Sequence, residues 1–600
     1  MANVRLSRRL SAKRLRVYQR RLLRNEHVAL LFLACLVGGA AGGAEILFRW
    51  VYTSVQWGVL GFSFSDFVSL GHAQSWWRLL LGPALGGLAV GWLVRRIMPY
   101  GRPQAVAEVI QAAASPKGSL PLGTGLKTAL INALSIGVGA SVGREGPMVH
   151  VGATLGSAVA HRLGLHRHNG RTLLGCGVAA GVAASFNAPI AGVFFALEVV
   201  VGHYALHAFA PIVIASVTGT VVSRWYYGDF PAFVPPESYG IAAQWEFFAF
   251  ALLGVLCAIV AIILMVGVLR TGDLYAKLGV PIWTRPGVAG LAIGAMAAAG
   301  LPHVLGVGYE ATSGALDEAY SLELMLALIA AKLAATALCL GAGFGGGVFS
   351  PSIFLGAMTG GAFGVAVTGL FPEVSASQGA YTVVGMGAVA GAVLGAPIST
   401  ILIVFELTGN YELTVGVMVA TVIASEIVAY TFHRSLFLLQ LAMRGVNIRG
   451  GEEDAALHDI SVDRLITRDC ITATPDTSLL ATYDELGHST LRAAYVLNAA
   501  GRLIGVATFN EMTRLLAKAE SGAYDKDSLR VRDAMAEPSV VLTMEDDMAE
   551  ALDVFGQSAK NALPVVDSRE RMRFKGIIRG YNLMRAYHRA LKEVRQAEHG

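Results

Sequence analysis

Charge is what this 600-residue sequence has least of. Asp, Glu, Lys and Arg make up 15% of it, against roughly 25% in an ordinary soluble chain. With 54% hydrophobic residues and 70 glycines, that scarcity excludes a soluble globular composition and suits closely packed membrane helices. Acid is missing before Glu26, while nine Lys/Arg crowd the first 24 residues. The apolar run starting at Val28 makes that arm a positive-inside flank, so no nucleic-acid partner is expected. With a long basic segment and no small-residue cleavage site, no cleaved signal is expected. Cysteine is sparse too: Cys35, Cys176, Cys257, Cys339 and Cys470 are scattered, with no CxxC spacing. They read as small buried residues, not as disulfides or metal ligands. No HExxH and no His/Cys/carboxylate cluster occurs, so neither metal nor cofactor is expected. No catalytic residue is assigned, since nothing nucleophilic stands beside a base; an enzyme using Glu145 and His150 is the reading this disfavours.

What is present is charge in an unusual place. Gly143-Arg144-Glu145-Gly146-Pro147 lies between apolar, Gly/Ala-rich segments at 129–140 and 149–160. An arginine and a glutamate at membrane depth are expensive and need a reason. The flanking glycines let backbone N–H groups approach a ligand, and Pro147 suits the first turn of a helix. Helix N-termini carry unsatisfied N–H groups and partial positive charge, so the expected ligand is an anion. Glu145 would compete with it for the same place.

The arrangement occurs twice. Gly347-Val348-Phe349-Ser350-Pro351 repeats the Gly-x-x-x-Pro frame, with Lys127 16 residues before the first frame and Lys332 15 before the second. Downstream, Gly177-x2-Ala180-x7-Ala188-Pro189-Ile190 matches Gly385-x2-Ala388-x7-Ala396-Pro397-Ile398, and Glu198 and Glu406 each follow nine residues after their proline. Short, Gly/Pro-interrupted apolar pieces in two copies mark helices that stop mid-membrane around a site between the halves. Elsewhere, Glu45 and Arg49 form an i, i+4 pair read as structural, and Trp76-Trp77 read as a membrane-interface pair.

From about 450 the composition becomes that of a soluble domain. Short β-branched runs alternate with amphipathic helical stretches, again in two copies. The segment 494–498 with 503–507 parallels 563–567 with 575–578. The order is β-α-β-β-α, twice.

These motifs resemble the CLC family of chloride channels and chloride/proton antiporters, whose signatures have the forms GSGIP, G(K/R)EGP and GxFxP. The second stands at 143–147 and the third at 347–351; the first survives in part as Tyr100-Gly101-Arg102-Pro103. The C-terminal repeat resembles a tandem of CBS domains. The resemblance implies a polytopic α-helical membrane protein of two inverted-topology repeats with broken helices, plus cytoplasmic α/β tandem CBS domains. The expected boundaries are a basic cytoplasmic segment at 1–27, a transport domain at 28–445, and CBS domains at 459–517 and 528–590. It further implies a homodimer in the plasma (inner) membrane, with both termini cytoplasmic, that moves chloride or a similar small anion.

Carried over residue by residue, the resemblance makes Glu145 the gating carboxylate. It assigns the anion site to Tyr100, Gly101, Gly143, Arg144, Gly146, Val348, Phe349 and Phe437, with the arginine acting as counter-charge rather than ligand. Three positions depart from the family. Tyr100 replaces a serine, Phe437 replaces a tyrosine, and Val199 stands where antiporters carry the internal proton-relaying glutamate. Transport is therefore expected to be passive or weakly proton-coupled, with a tightly coupled chloride/proton antiporter as the alternative. Glu198 and His203 are the candidate substitutes for the missing relay; His150 and His207 read as structural. In the CBS pair the ribose-binding positions read Thr508-x2-Glu511 and Arg579-x2-Asn582, so adenine nucleotide is expected to bind weakly or not at all.

Because Phe437 has no hydroxyl to give, Tyr100 is expected to supply one. Tyr100→Phe should weaken anion binding by about 0.5–3 kcal/mol, the range for hydrogen bonds to neutral and charged groups. Isothermal titration with chloride checks this; unchanged affinity, with Phe437→Tyr also silent, would mean that backbone donors suffice.

Overall fold

The computed structural model describes residues 26–62, 74–99, 101–115, 119–165, 167–202, 206–229, 233, 240–241, 243–373, 375–446, 457, 460–521, 525–544, 546–558 and 560–599. Tyr100, His203 and almost all of the basic segment 1–27 lie outside these residues, as does the side chain of His207. The chain divides into two compact units, 1–448 and 449–600.

The first unit is helical throughout. Its first half comprises α1 (Glu26–Leu60), α2 (Trp76–Ile97), α3 (Val106–Ala114), α4 (Leu122–Gly137), α5 (Glu145–Leu163), α6 (Arg167–Phe186), α7 (Pro189–Phe195, continued by a π turn Ala196–Val201) and α8 (Leu206–Tyr227). Its second half comprises α9 (Glu246–Lys277), α10 (Arg285–Ala298), α11 (Tyr309–Leu316), α12 (Leu322–Ala342), α13 (Phe349–Leu370), α14 (Gln378–Leu394), α15 (Pro397–Thr408), α16 (Tyr411–Phe432) and α17 (Leu436–Ala442). Among the described residues seven helices are long and apolar enough to cross a membrane. Others, such as the nine-residue α3, are too short to do so. At 35 residues α1 is about 52 Å long at 1.5 Å per residue, well beyond the apolar run at 28–47 and enough to span only with tilt. Trp76 and Trp77 are exposed at the start of α2.

The two repeat copies pack identically at their tightest crossings. A Cβ on Gly152 of α5 would lie 1.9 Å from the Gly177 carbonyl oxygen of α6, and one on Gly177 equally close to that of Gly152. The counterparts are Gly356 of α13 and Gly385 of α14, at 2.2 and 2.3 Å. Backbone lies directly on backbone at both crossings, which is how helices gain contact where lipid offers no hydrophobic drive.

The short helices α7 and α15 are joined reciprocally. Glu198, at the end of α7, accepts hydrogen bonds from the backbone N–H groups of Ile398 (3.1 Å) and Ser399 (2.9 Å) and from the Ser399 hydroxyl (2.5 Å). Glu406, on α15, accepts from Ile190 (2.9 Å) and Ala191 (2.7 Å). Each carboxylate therefore caps the N-terminus of the other's helix, where Pro189 and Pro397 open the first turns. The structural role read for both glutamates is thus a specific one.

Two side-chain expectations change. Glu45 turns toward Arg144, 4.0 Å away, while Arg49 lies over the Tyr227 ring at 4.2 Å, so their i, i+4 spacing does not make them partners. Lys127 is exposed, but its repeat mate Lys332 is buried, donating to the carbonyls of Val304 (3.1 Å) and Gly306 (3.0 Å) and lying over Phe354.

The second unit holds two small sheets. Strands β1 (Thr472–Ala473), β2 (Ala493–Leu497), β3 (Leu503–Thr508) and β4 (Met535–Ala536) form one in that order. Strands β5 (Leu542–Thr543), β6 (Ala562–Val566) and β7 (Phe574–Arg579) form the other. Each sheet opens with a parallel pair followed by an antiparallel one, with helices α18 (Leu479–Gly487) and α20 (Met548–Gln557) in the crossovers. Helices α19 (Phe509–Glu520) and α21 (Gly580–His599) follow β3 and β7. The two copies share a core in which Tyr495 stacks on Phe574.

Gly152→Ala should overpack the α5–α6 crossing at a cost of about 1–3 kcal/mol and lower the thermal unfolding midpoint in detergent. Gly123→Ala on α4, with nothing within 4 Å of the new methyl, should be neutral or slightly stabilising. Equal effects of the two would show that the close crossing does not set stability.

Candidate functional site

The two signature loops meet each other. Gly143 N–H donates to the Gly347 carbonyl at 2.7 Å, and Gly347 N–H donates to the Gly143 carbonyl at 2.8 Å. Only residues without side chains allow this approach: a Cβ on Gly347 would sit 3.0 Å from the Gly146 nitrogen, and one on Gly146 3.0 Å from the Gly347 Cα. Helices α5 and α13 start on either side of this bridge. The first-turn N–H groups of Gly146, Val348 and Phe349 have no carbonyl four residues back within their own helices. All three residues line one cavity of about 380 Å³, together with Glu145 and Phe437.

Glu145 is the first residue of α5 and is 1% exposed. Ser350 Oγ lies 2.6 Å from both its carboxylate oxygens, and the Tyr309 hydroxyl donates to Oε1 at 2.7 Å. Arg144 Nε is 3.8 Å from the same oxygen, but the guanidinium is held elsewhere, donating to the Tyr52 hydroxyl (3.0 Å) and the Ser185 carbonyl (2.9 Å). It also lies over the Tyr309 ring, 4.8 Å from the centroid. Arg144 and Tyr309 line a second cavity of about 300 Å³. The Glu145–Tyr309 hydrogen bond is thus where the two cavities abut.

Of the residues expected to hold an anion, the structure brings Glu145, Gly146, Val348, Phe349 and Phe437 to one cavity. Three others are placed differently. The Gly143 N–H is spent on Gly347, and the Gly101 N–H is spent on the Met98 carbonyl at 3.2 Å, so neither is available to a ligand. The Arg144 side chain lines the second cavity, within 4.0 Å of the Glu45 and Glu145 carboxylates. Val199 sits half-buried on the π turn after α7 and does not line the first cavity. His150 is fully buried, with Nε2 3.1 Å from Gln104 Oε1. Two residues escaped the sequence reading. Ser350 was visible inside the repeated frame but had no assigned partner. Tyr309 is 164 residues from Glu145, with no motif around it to connect them.

Residues 86–429 match the family described as voltage gated chloride channel. The chain belongs to that family. Residues 462–518 and 531–589 each match the CBS domain, so this family member carries the tandem pair in its second unit. It is 31% identical over 397 residues to a ClcB-like protein of Ralstonia nicotianae, covering 66% of this chain and 92% of that one. It is 30% identical over 410 residues to the voltage-gated ClC-type chloride channel ClcB of Escherichia coli, covering 67% and 96%. Among solved structures, a slow cyanobacterial Cl⁻/H⁺ antiporter superposes with a TM-score of 0.61 at 21% identity over 69% of this chain and 97% of that one. A eukaryotic CLC transporter superposes at 0.60 and 18% identity over 92% and 97%. At such identities the likeness is one of fold. In this chloride channel family member the buried carboxylate receives a hydroxyl pair, Ser350 and Tyr309.

Tyr309→Phe removes one donor from a buried carboxylate, a loss worth about 1.5–3 kcal/mol for a charged hydrogen bond. The thermal midpoint at pH 7 should fall, and fall less when Glu145→Gln is already present. Equal losses in the two backgrounds would mean that the ring's packing matters and the hydrogen bond does not.

Proposed function

We propose that this protein passes chloride or a similar small anion through each chain, with Glu145 as the gate, and that passage is passive or weakly coupled to protons. The observation that carries this reading is the position of one carboxylate. Glu145 lines one cavity with Gly146, Val348 and Phe349 from the starts of α5 and α13, a setting that suits an anion site occupied by the protein's own anion. The relatives named as chloride channels and as a chloride/proton antiporter support the substrate class. We read the protein as a homodimer of the plasma (inner) membrane with cytoplasmic ends.

Tight antiport is the second reading, favoured by the antiporter among the fold's likenesses. Against it, Val199 cannot carry a proton, and Glu198 beside it has both oxygens committed to the start of α15. In the CBS pair, Glu511 returns its carboxylate to Thr508 in a capping box, and Arg579 pairs with Asp469 at 2.6 Å. Both supports the weak or absent nucleotide binding expected there.

In proteoliposomes the wild type should release chloride faster in acid, and Glu145→Gln should be nearly independent of pH across about 4.5–7.5. The same pH profile in both would remove Glu145 as the gate. An imposed chloride gradient should drive little uphill proton movement; robust, uncoupler-sensitive pumping would establish the antiport reading instead.

A further inference from the structure

Lys332 lines neither of the two cavities, yet its side chain is fully buried on α12. Burying an amino group at membrane depth is costly and calls for a use. Its Nζ donates to the carbonyls of Val304 (3.1 Å) and Gly306 (3.0 Å) and lies over the Phe354 ring, 4.9 Å from the centroid. A lysine has donors and no acceptor, so carbonyls and the face of a ring are partners it can use.

What it grips is the approach to Tyr309. Residues 304–308 lead into α11, whose first residue is Tyr309, the hydroxyl donor to Glu145 at 2.7 Å. Gly306 is held from a second side, its N–H donating to the Gly139 carbonyl at 3.0 Å. Gly308, at φ +89°, packs so closely that an added Cβ would lie 2.8 Å from Phe354 and 3.3 Å from Lys332 Nζ. One turn further along α12, Thr336 Oγ1 lies 3.3 Å from the Oγ of Ser141, two residues before Gly143. One face of α12 thus holds both approach segments, one to Tyr309 and one to the Gly143-Arg144-Glu145 loop. Phe354 in turn lies one turn beyond Ser350 on α13, the other hydroxyl on Glu145.

We propose that Lys332 is a positioning residue for the gate: by fixing the 304–308 loop it sets where the Tyr309 hydroxyl meets Glu145. This deepens the gating reading and rests on it. The groups facing Glu145 are Tyr309, Ser350 and the Arg144 guanidinium, so Lys332 acts on it only through the loop. The Tyr309 ring is flanked by Arg144 and by Phe233, 4.8 Å between ring centroids, while the loop fixes the backbone from which the hydroxyl reaches. Without Lys332 the two carbonyls lose their donor in an apolar interior, and the loop must move to recover one. A displaced Tyr309 holds Glu145 less firmly, and the carboxylate gives way to the anion more readily.

The competing account is a pin that only holds helices together, and the two differ in the pH profile. The experiment is chloride flux in proteoliposomes at about pH 4.5 and 7.5, with only monodisperse variants compared. Lys332→Met should raise flux at the higher pH about two- to fivefold, part of what a hydrogen bond to a carboxylate is worth. The ratio of flux in acid to flux at the higher pH should fall by the same factor. Tyr309→Phe should do likewise, and the double variant should add little. Lys332→Gln keeps N–H donors one bond short, so it should give an intermediate ratio, and it carries the test if the Met variant fails to fold. A pin predicts flux lowered equally at both pH values; that unchanged ratio, or full additivity in the double variant, overturns the proposal. Thermal midpoints of the same proteins give a readout that needs no transport. Lys332→Met should lower the midpoint less in the Tyr309→Phe background than in the wild type, and equal lowering overturns the proposal. No flux in the wild type would fail the transport reading, and equal pH ratios in the wild type and Glu145→Gln would fail the gating reading. In either case the midpoints still decide whether Lys332 positions Tyr309.

Discussion

Everything at the centre of the membrane unit depends on two backbone hydrogen bonds between Gly143 and Gly347. They join residues 204 positions apart, one from each repeat copy, as an isolated antiparallel bridge. Such a bridge brings two segments within a few ångströms, and a Cβ at Gly146 or Gly347 would lie 3.0 Å from the other loop's backbone, tighter than ordinary contact. The consequence is geometric. Once the loops are tied, the helices leaving them must begin side by side, so two sets of orphan N–H groups serve one cavity. A single helix N-terminus would offer half the positive potential; the bridge doubles it without placing a basic side chain there.

The same economy governs the buried charges. In an apolar unit each ionic group needs several partners, because one removed from water costs several kcal/mol even after relaxation. Arg144 has Tyr52, Ser185, the Tyr309 ring and two nearby carboxylates. Glu198 and Glu406 use each other's helix starts, and Lys332 uses two carbonyls and a ring. Glu246 at the start of α9 accepts from the Tyr381 hydroxyl at 2.9 Å and from the Ala376 N–H. Backbone dipoles and hydroxyls thus do much of what opposite charges do in soluble proteins, and the low charge content of the sequence is consistent with it.

The repeat made much of this legible in advance. Gly-x-x-x-Pro frames, Ala-Pro pairs and glutamates at equal spacing in two copies located the broken helices, and the alternating short strands located the CBS pair. Environment was less legible than position. Lys127 and Lys332 hold matching places, yet one is exposed and the other buried, because sequence spacing does not say which face a neighbour covers. Gly143 and Gly101 were candidate donors whose N–H groups turn out to be taken, by a loop 204 residues away and by the carbonyl three residues back. Hydrogen-bond accounts close only in three dimensions. Tyr309 was invisible for the same reason, since its hydroxyl earns a role only through a partner 164 residues off.

The hydroxyl pair on Glu145 bears on how a carboxylate could leave such a site. Ser350 and Tyr309 donate to the Glu145 carboxyl oxygens, and the α5 and α13 N-termini favour a negative charge there. A mobile anion offers the backbone donors the same charge, so in the proposed pathway the side chain and the ion compete for one potential. Whichever occupies the place, the second anion is repelled. A neutral carboxyl makes weaker, undirected claims on the same donors and yields the place to the ion. In the proposed pathway, gating by acid and gating by anion would be two routes to one event, the release of the Glu145–Tyr309 contact. Phe437 offers no hydroxyl to that cavity, so in the proposed pathway the competition falls on the backbone donors beside the Gly143–Gly347 bridge.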